Sequence, residues 1–341
     1  MKSPKIITCA SYCGSGSSAV TDLLGEFDNV FFMGDYEFRF IQDPDGVFDL
    51  ANNVAENYHR HNSGYAIKRY KKYVDFLSGN VFFKKYEKFF DGQFRRRSYD
   101  YIDELTKIKF RGYWHRDVYD KGMFFYILER ITSHIVNKLR GGGEDAVLFP
   151  FMKSEVTYVP KDDKALFYKI TRKYIDDLFT IANKDNSKYI MVDQLVPPNN
   201  CNRYLRLFND IKIIAVDRDP RDLYILEKTK WKGSVIPTSN VYDYCKWIRE
   251  TRKHRFTESD DTQKVLRIYL EDMIYHYDKT VNKICNFLGI DMTSHTRPFS
   301  HFIPEQSINN TRLWVNHPEL IKDIRIIEEN LSDYCYNNYN S

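Results

Sequence analysis

Short, largely apolar runs punctuate the chain at residues 5–10, 30–33, 189–194, 211–216 and 265–269. They lack the alternation of a half-exposed strand, so they predict strands buried on both faces of a parallel sheet. Stretches with helical periodicity follow them, at about 19–27, 200–208, 240–254, 277–288 and 318–330. The strand, helix, strand order over 189–216 is the unit from which parallel sheets are built. The pattern therefore predicts an α/β fold with a central parallel sheet flanked by helices.

The middle of the chain reads differently. Residues 54–119 are aromatic and basic without long clean periodicity, as in Lys68-Arg69-Tyr70-Lys71-Lys72-Tyr73, Phe82-Phe83-Lys84-Lys85-Tyr86 and Arg95-Arg96-Arg97. Amphipathic helices are expected there, with aromatic stripes packed and cations facing water. Helices are also expected at 123–139 and 164–183, with a hairpin or loop at 151–161. Gly141-Gly142-Gly143 reads as a helix-ending loop rather than a phosphate cradle, because no strand precedes it and Glu144-Asp145 follows.

Composition narrows the class. The chain has 341 residues, 43% of them hydrophobic, enough for one large or two ordinary domains. Its six cysteines are scattered with no Cys-x-x-Cys spacing, which fits a reduced, cytoplasmic setting. No eighteen-residue apolar run predicts a membrane span, and the first strand begins too early to leave room for a signal peptide. The sequons at Asn309 and Asn330 are then incidental. A formal charge of +4 is too mild to imply nucleic-acid binding. The basic aromatic middle has the ingredients of a single-strand binder, but the same residues suit a sugar acceptor.

Two segments carry candidate chemistry. The first strand leads into Cys13-Gly14-Ser15-Gly16-Ser17-Ser18-Ala19, small residues that open a helix and whose backbone N–H groups would face an anion at its positive end. The strand at 211–216 ends in Asp217-Arg218-Asp219-Pro220-Arg221-Asp222. Arg218 offers a planar fork suited to a phosphate, while Pro220 fits a first helical position and Asp219 and Asp222 read as helix caps. A kinase loop needs a lysine before its Ser or Thr to reach the terminal phosphates, and this loop has none.

Together with Leu270-Glu271-Asp272-Met273 and Asn286-Phe287-Leu288-Gly289-Ile290, these segments resemble the sulfotransferases that use 3′-phosphoadenylyl sulfate (PAPS). The resemblance covers about residues 4–40 and 188–316. It implies a P-loop, nucleotide-kinase-like fold forming a single domain over 1–341, with a helical insertion at about 50–185 on the acceptor side. It also implies that the first loop holds the 5′-phosphosulfate and Arg218 the 3′-phosphate of PAPS, that the product is adenosine 3′,5′-bisphosphate, and that no metal is required.

The chain departs from that family at two places. Gly14 stands where many members carry a lysine or arginine, with Arg39 the nearest substitute in sequence. Leu226 stands where a serine usually makes a second 3′-phosphate contact, leaving Thr229, Lys228 or Arg221 as replacements. Glu37, ahead of aromatic residues as in several carbohydrate sulfotransferases, is the candidate base. Desolvation by those aromatics would raise its pKa, and His59, His61 and His115 are alternatives. Ser307, Asn309 and Arg312, with Trp314 after them, match the position of a late loop that closes over the nucleotide.

The implied reaction moves a sulfuryl group from PAPS to a hydroxyl of a carbohydrate or glycolipid acceptor. Two rivals remain at this point: a small-molecule kinase on the same fold, for which Asp193 could hold magnesium, and a non-catalytic nucleotide-binding protein. The sequence gives no indication of oligomeric state.

Overall fold

The computed structural model describes residues 3–80, 82–83, 85–140, 149–152 and 154–339. The Gly141-Gly142-Gly143 triplet lies outside them. The strands are β1 (Lys5–Ser11), β2 (Val30–Glu37), β3 (Thr106–Arg111), β4 (Val156–Pro160), β5 (Tyr189–Asp193), β6 (Ile211–Asp217) and β7 (Val265–Tyr269). The fold is α/β, as the pattern predicts. Contacts divide the chain into two compact units, one made of Met1–Gln42, Phe89–Asp91 and Ile175–Ser341, the other of Asp43–Lys88 and Gly92–Tyr174.

The first unit holds a five-stranded parallel sheet in the order β2-β5-β1-β6-β7. All five residues of β5 are buried, which explains its unbroken apolar sequence. The helix Ser17–Gly25 buries Val20, Leu23 and Leu24 in a core shared with Ile7, Met191 and Ile214. After β1 the chain builds β2 and β5 on one side, then returns to place β6 on the other. Loops leaving β1, β5 and β6 therefore diverge at the sheet's carboxyl edge, which is where open α/β sheets bind ligands.

β2 runs four residues beyond its apolar core. Its pairing with β5 shifts between Phe32 and Glu37, where Gly34 adopts φ +81°. That irregularity lets the strand resume after polar Gly34-Asp35, a break that hides its end in the sequence.

In the second unit the helices Arg60–Ser78 and Phe94–Leu105 bury an aromatic cluster. Tyr101 stacks on Tyr174 at 4.4 Å between ring centroids, and Tyr174 Oη shares hydrogen bonds with Tyr70 and Ser98. These aromatics pack as expected, but Phe82 and Phe83, expected to pack as well, are 88% and 73% exposed. Some cations do not face water: Lys68 is enclosed and ion-paired with Asp117 at 2.7 Å. The segment read as hairpin or loop at 151–161 contains β4, which pairs antiparallel with β3. β3 itself escapes notice because its alternating side chains leave both faces largely exposed, so neither face marks a core side.

Candidate active site

At the carboxyl edge of the first unit's sheet, a cleft of about 650 Å³ is lined by the β1 loop, the ends of β2 and β5, Arg218 and Trp231. The loop is held open from behind. Ser15 is buried and its hydroxyl donates to the carbonyls of Tyr12 (3.0 Å) and Val216 (2.7 Å), fastening the loop to β6. Gly16 caps the helix Ser17–Gly25 in the left-handed region (φ +90°), and a Cβ there would meet Leu270 at 2.9 Å. Gly14 is also left-handed (φ +73°), and its Cβ would fall 2.7 Å from the Trp231 ring. Glycine is thus fixed at both positions by backbone and by space.

The predicted loop residues separate by role. Ala19 is buried in the core and offers the site only backbone, while Cys13 and Ser18 are exposed. Partial desolvation by the walls of the cleft, with the nearby charges of Glu227 and Glu37, pushes the exposed Cys13 thiol up, so it is a poor thiolate nucleophile. Ser17 Oγ donates to Asp193 Oδ2 at 3.2 Å. The other Asp193 oxygen is buried with no hydrogen-bond partner among the described residues. Burial and then the Glu37 charge raise Asp193 to about 7.

Arg218 lines this same cleft, although two hundred residues separate it from the loop. Its Nη1 donates to the Gly14 carbonyl at 3.3 Å and its Nη2 to the Asn310 carbonyl, while Nε has no partner among the described residues. The end of β6 is braced around it. Asp217 accepts from Arg255 at 2.9 Å and pairs with the fully buried Arg252. Asp219 caps the following helix through Arg221 N, with Pro220 at its first position as expected. Asp222 instead accepts the Arg312 and Leu313 amides, because the late loop packs against that helix. Glu271 accepts the Asp219 amide at 3.0 Å, and burial followed by the Asp219 charge raises it to about 8.

None of the proposed substitutes for a serine at Leu226 lines the cleft. Arg221 is held by Asp219 and Glu328 and lies 4.0 Å over Trp314. Lys228 pairs with Asp323 at 3.1 Å, and the Thr229 hydroxyl returns to the Ile225 carbonyl at 2.7 Å. The late loop reaches Arg218 through the Asn310 carbonyl rather than through Ser307, Asn309 or Arg312, and the Arg312 guanidinium lies over Tyr339.

Glu37 and Arg39 both face the cleft, 3.7 Å apart. The expected desolvation of Glu37 does not occur: its side chain is 53% exposed. Just past the end of β2, Phe38 and Phe40 turn into the core, while Glu37 and Arg39 stay outside. The desolvated carboxylate is Asp193, whose position opposite Glu37 on β5 the apolar run does not reveal. His59, His61 and His115 belong to the second unit. Trp231 is the other residue that sequence reasoning missed. Among the described residues no group of three or more His, Cys, Asp or Glu could hold a metal.

No protein-family model matches the chain, and no curated protein matches it. Solved structures similar to it include the sulfotransferase domain of the Synechococcus PCC 7002 olefin synthase. That pair shares 12% identity and a TM-score of 0.37 over 88% of this chain and 79% of the other. Retinol dehydratase in complex with androsterone and the inactive cofactor PAP shares 14% identity, TM-score 0.37, over 100% and 84%. A Mycobacterium tuberculosis H37Rv sulfotransferase shares 10% identity, TM-score 0.32, over 91% and 77%. The identity is low throughout.

Proposed function

We propose that the chain is a sulfotransferase that moves a sulfuryl group from PAPS to a hydroxyl of a carbohydrate or glycolipid acceptor. The observation that carries this reading is the meeting of a lysine-free phosphate loop with Arg218 in one cleft. The helix N-terminus beyond Gly16 would hold the 5′-phosphosulfate, since its first amides have no partners within the helix. Arg218 would take the 3′-phosphate through its guanidinium. Glu37, exposed to the cleft, would accept the acceptor's proton, and Arg39 would offset charge on the bridging oxygen as the S–O bond breaks.

A second reading has its own support. Ser17 and Asp193 reproduce the hydroxyl and acid that hold magnesium in P-loop kinases. A thermal-shift comparison separates the two, because a ligand that binds only the folded state raises its stability. Adenosine 3′,5′-bisphosphate should raise Tm in EDTA more than ADP or ATP does. A larger shift with magnesium and ATP would overturn the sulfotransferase reading in favour of a kinase.

A further inference from the structure

In the second unit the helix Met123–Leu139 carries apolar side chains on its exposed face as well as on its packed one. Phe125 and Tyr126 pack on a small core of Val118, Phe149 and Met152, and the helix's only carboxylate, Glu129, is buried. The outer face carries Phe124, Ile127, Leu128, Ile131, Ile135 and Leu139, with Phe124 83% and Leu139 81% exposed. At about 100° per residue these form one stripe roughly 120° wide. Phe151, 50% exposed, extends the patch, its ring 6.4 Å from that of Phe125.

We propose that this helix docks flat on an anionic lipid surface. Charge decides the occupant. Arg130 and His134 are exposed along one edge of the apolar stripe, Lys138 is exposed just inside that edge, and Arg140 follows. A second copy of this face would set those cations against their own kind, with no exposed carboxylate on the helix to meet them. Lipid phosphates supply the missing counter-charge, and an apolar stripe bordered by cations is the form of an interfacial helix. Seventeen residues make about 25 Å of helix. Because its inner side is packed on its own unit, it lies along the surface, and among the described residues no helix is long and apolar enough to cross a membrane.

The full-length chain should co-sediment with vesicles of phosphatidylcholine containing phosphatidylglycerol, and about tenfold more weakly with phosphatidylcholine alone. Ile127→Glu with Ile131→Glu should abolish binding, and Arg130→Glu with Lys138→Glu should remove the preference for the anionic lipid. All four positions are exposed, so far-ultraviolet circular dichroism and Tm should not change. If the glutamate pair does unfold the chain, Ile127→Ser with Ile131→Ser tests the same face. Failure to bind anionic vesicles, or equal binding by the folded double variant, overturns the proposal. A concentration-dependent dimer that the isoleucine substitutions dissociate would assign the face to a second copy instead.

Discussion

The guanidinium of Arg218 donates to the carbonyl oxygen of Gly14 at 3.3 Å, so the cation at the end of β6 stands against the turn of the phosphate loop. Strand β6 and strand β1 are neighbours in register, with Val216 opposite Ser11, which brings the two segments together across two hundred residues. One arginine can therefore both support the loop and meet an anion that enters it.

Arg218→Ala should weaken adenosine 3′,5′-bisphosphate by about tenfold or more, corresponding to roughly 1.5–3 kcal/mol for a lost charge-assisted contact. Its effect on 5′-AMP should be only a few-fold, reflecting the loosened Gly14 carbonyl. Titration calorimetry with both nucleotides checks this. Equal losses would make Arg218 a loop support without a role at the 3′-phosphate.

At Gly14 the expected outcome runs against simple restoration of a family residue. Gly14→Lys supplies the lysine that related loops carry, yet its Cβ meets Trp231 and its backbone must stay left-handed. It should lower stability by at least about 1 kcal/mol and should not raise turnover. Trp231→Ala in the same chain should return part of that loss, a non-additivity that urea unfolding of the four proteins measures. Additive effects would mean that the ring and the glycine do not meet.

Glu37→Gln should leave nucleotide affinity unchanged and lower kcat by about two to four orders of magnitude, the usual contribution of a positioned base. Asp193→Asn is the comparison, because it retains an acceptor for Ser17 and removes only the carboxylate. If the Asn variant loses kcat while the Gln variant keeps it, the base is Asp193. Pre-steady-state assays on an acceptor panel, read by mass spectrometry, distinguish the outcomes.

Asp193 also makes a prediction about stability. Its pKa is raised to about 7, so between about pH 4 and pH 7 the folded protein keeps a proton that the unfolded chain has released. Stability should therefore fall as pH rises through that window, by the linkage of proton binding to folding. Asp222, raised to about 7, and Glu271, raised to about 8, act in the same direction. Asp193→Asn should flatten part of the slope and gain on the order of 1–3 kcal/mol at pH 8. Urea midpoints measured from pH 4 to 8 test this, and a parallel slope in the variant would assign the dependence elsewhere.

The sheet was legible because its strands are buried on both faces and carry little but apolar residues. The glycine loop was legible because a turn in the left-handed region has a short alphabet. Trp231 was not, because its approach to Gly14 depends on the path of the chain after the helix Pro220–Ile225, which has no local signature. Asp193 was visible only as the polar end of an apolar run, and its desolvation arises from β2 and the loop that close around it. Strand β3 was hidden for another reason: alternating Lys107, Ile108, Lys109 and Phe110 bury neither face, so no periodicity marks the core side.

The chain after Ile225 follows a π-helical turn, Leu226–Trp231, closed by the Lys232 amide on the Glu227 carbonyl at 2.8 Å. A turn that bonds five residues back holds one residue more than an α-helical turn. It behaves as a single-residue insertion, and everything after it is rotated by about 100° from where an uninterrupted helix would carry it. Trp231 is the last residue of that turn, and its ring is what a Cβ at Gly14 would meet. Removing one residue between Leu226 and Lys230 would restore ordinary helical spacing and swing the ring off Gly14, leaving the left-handed backbone (φ +73°) as the bar to a side chain there. The spare residue in one turn and the absent side chain in another are two halves of the same fit, and either change alone would leave the other without a purpose.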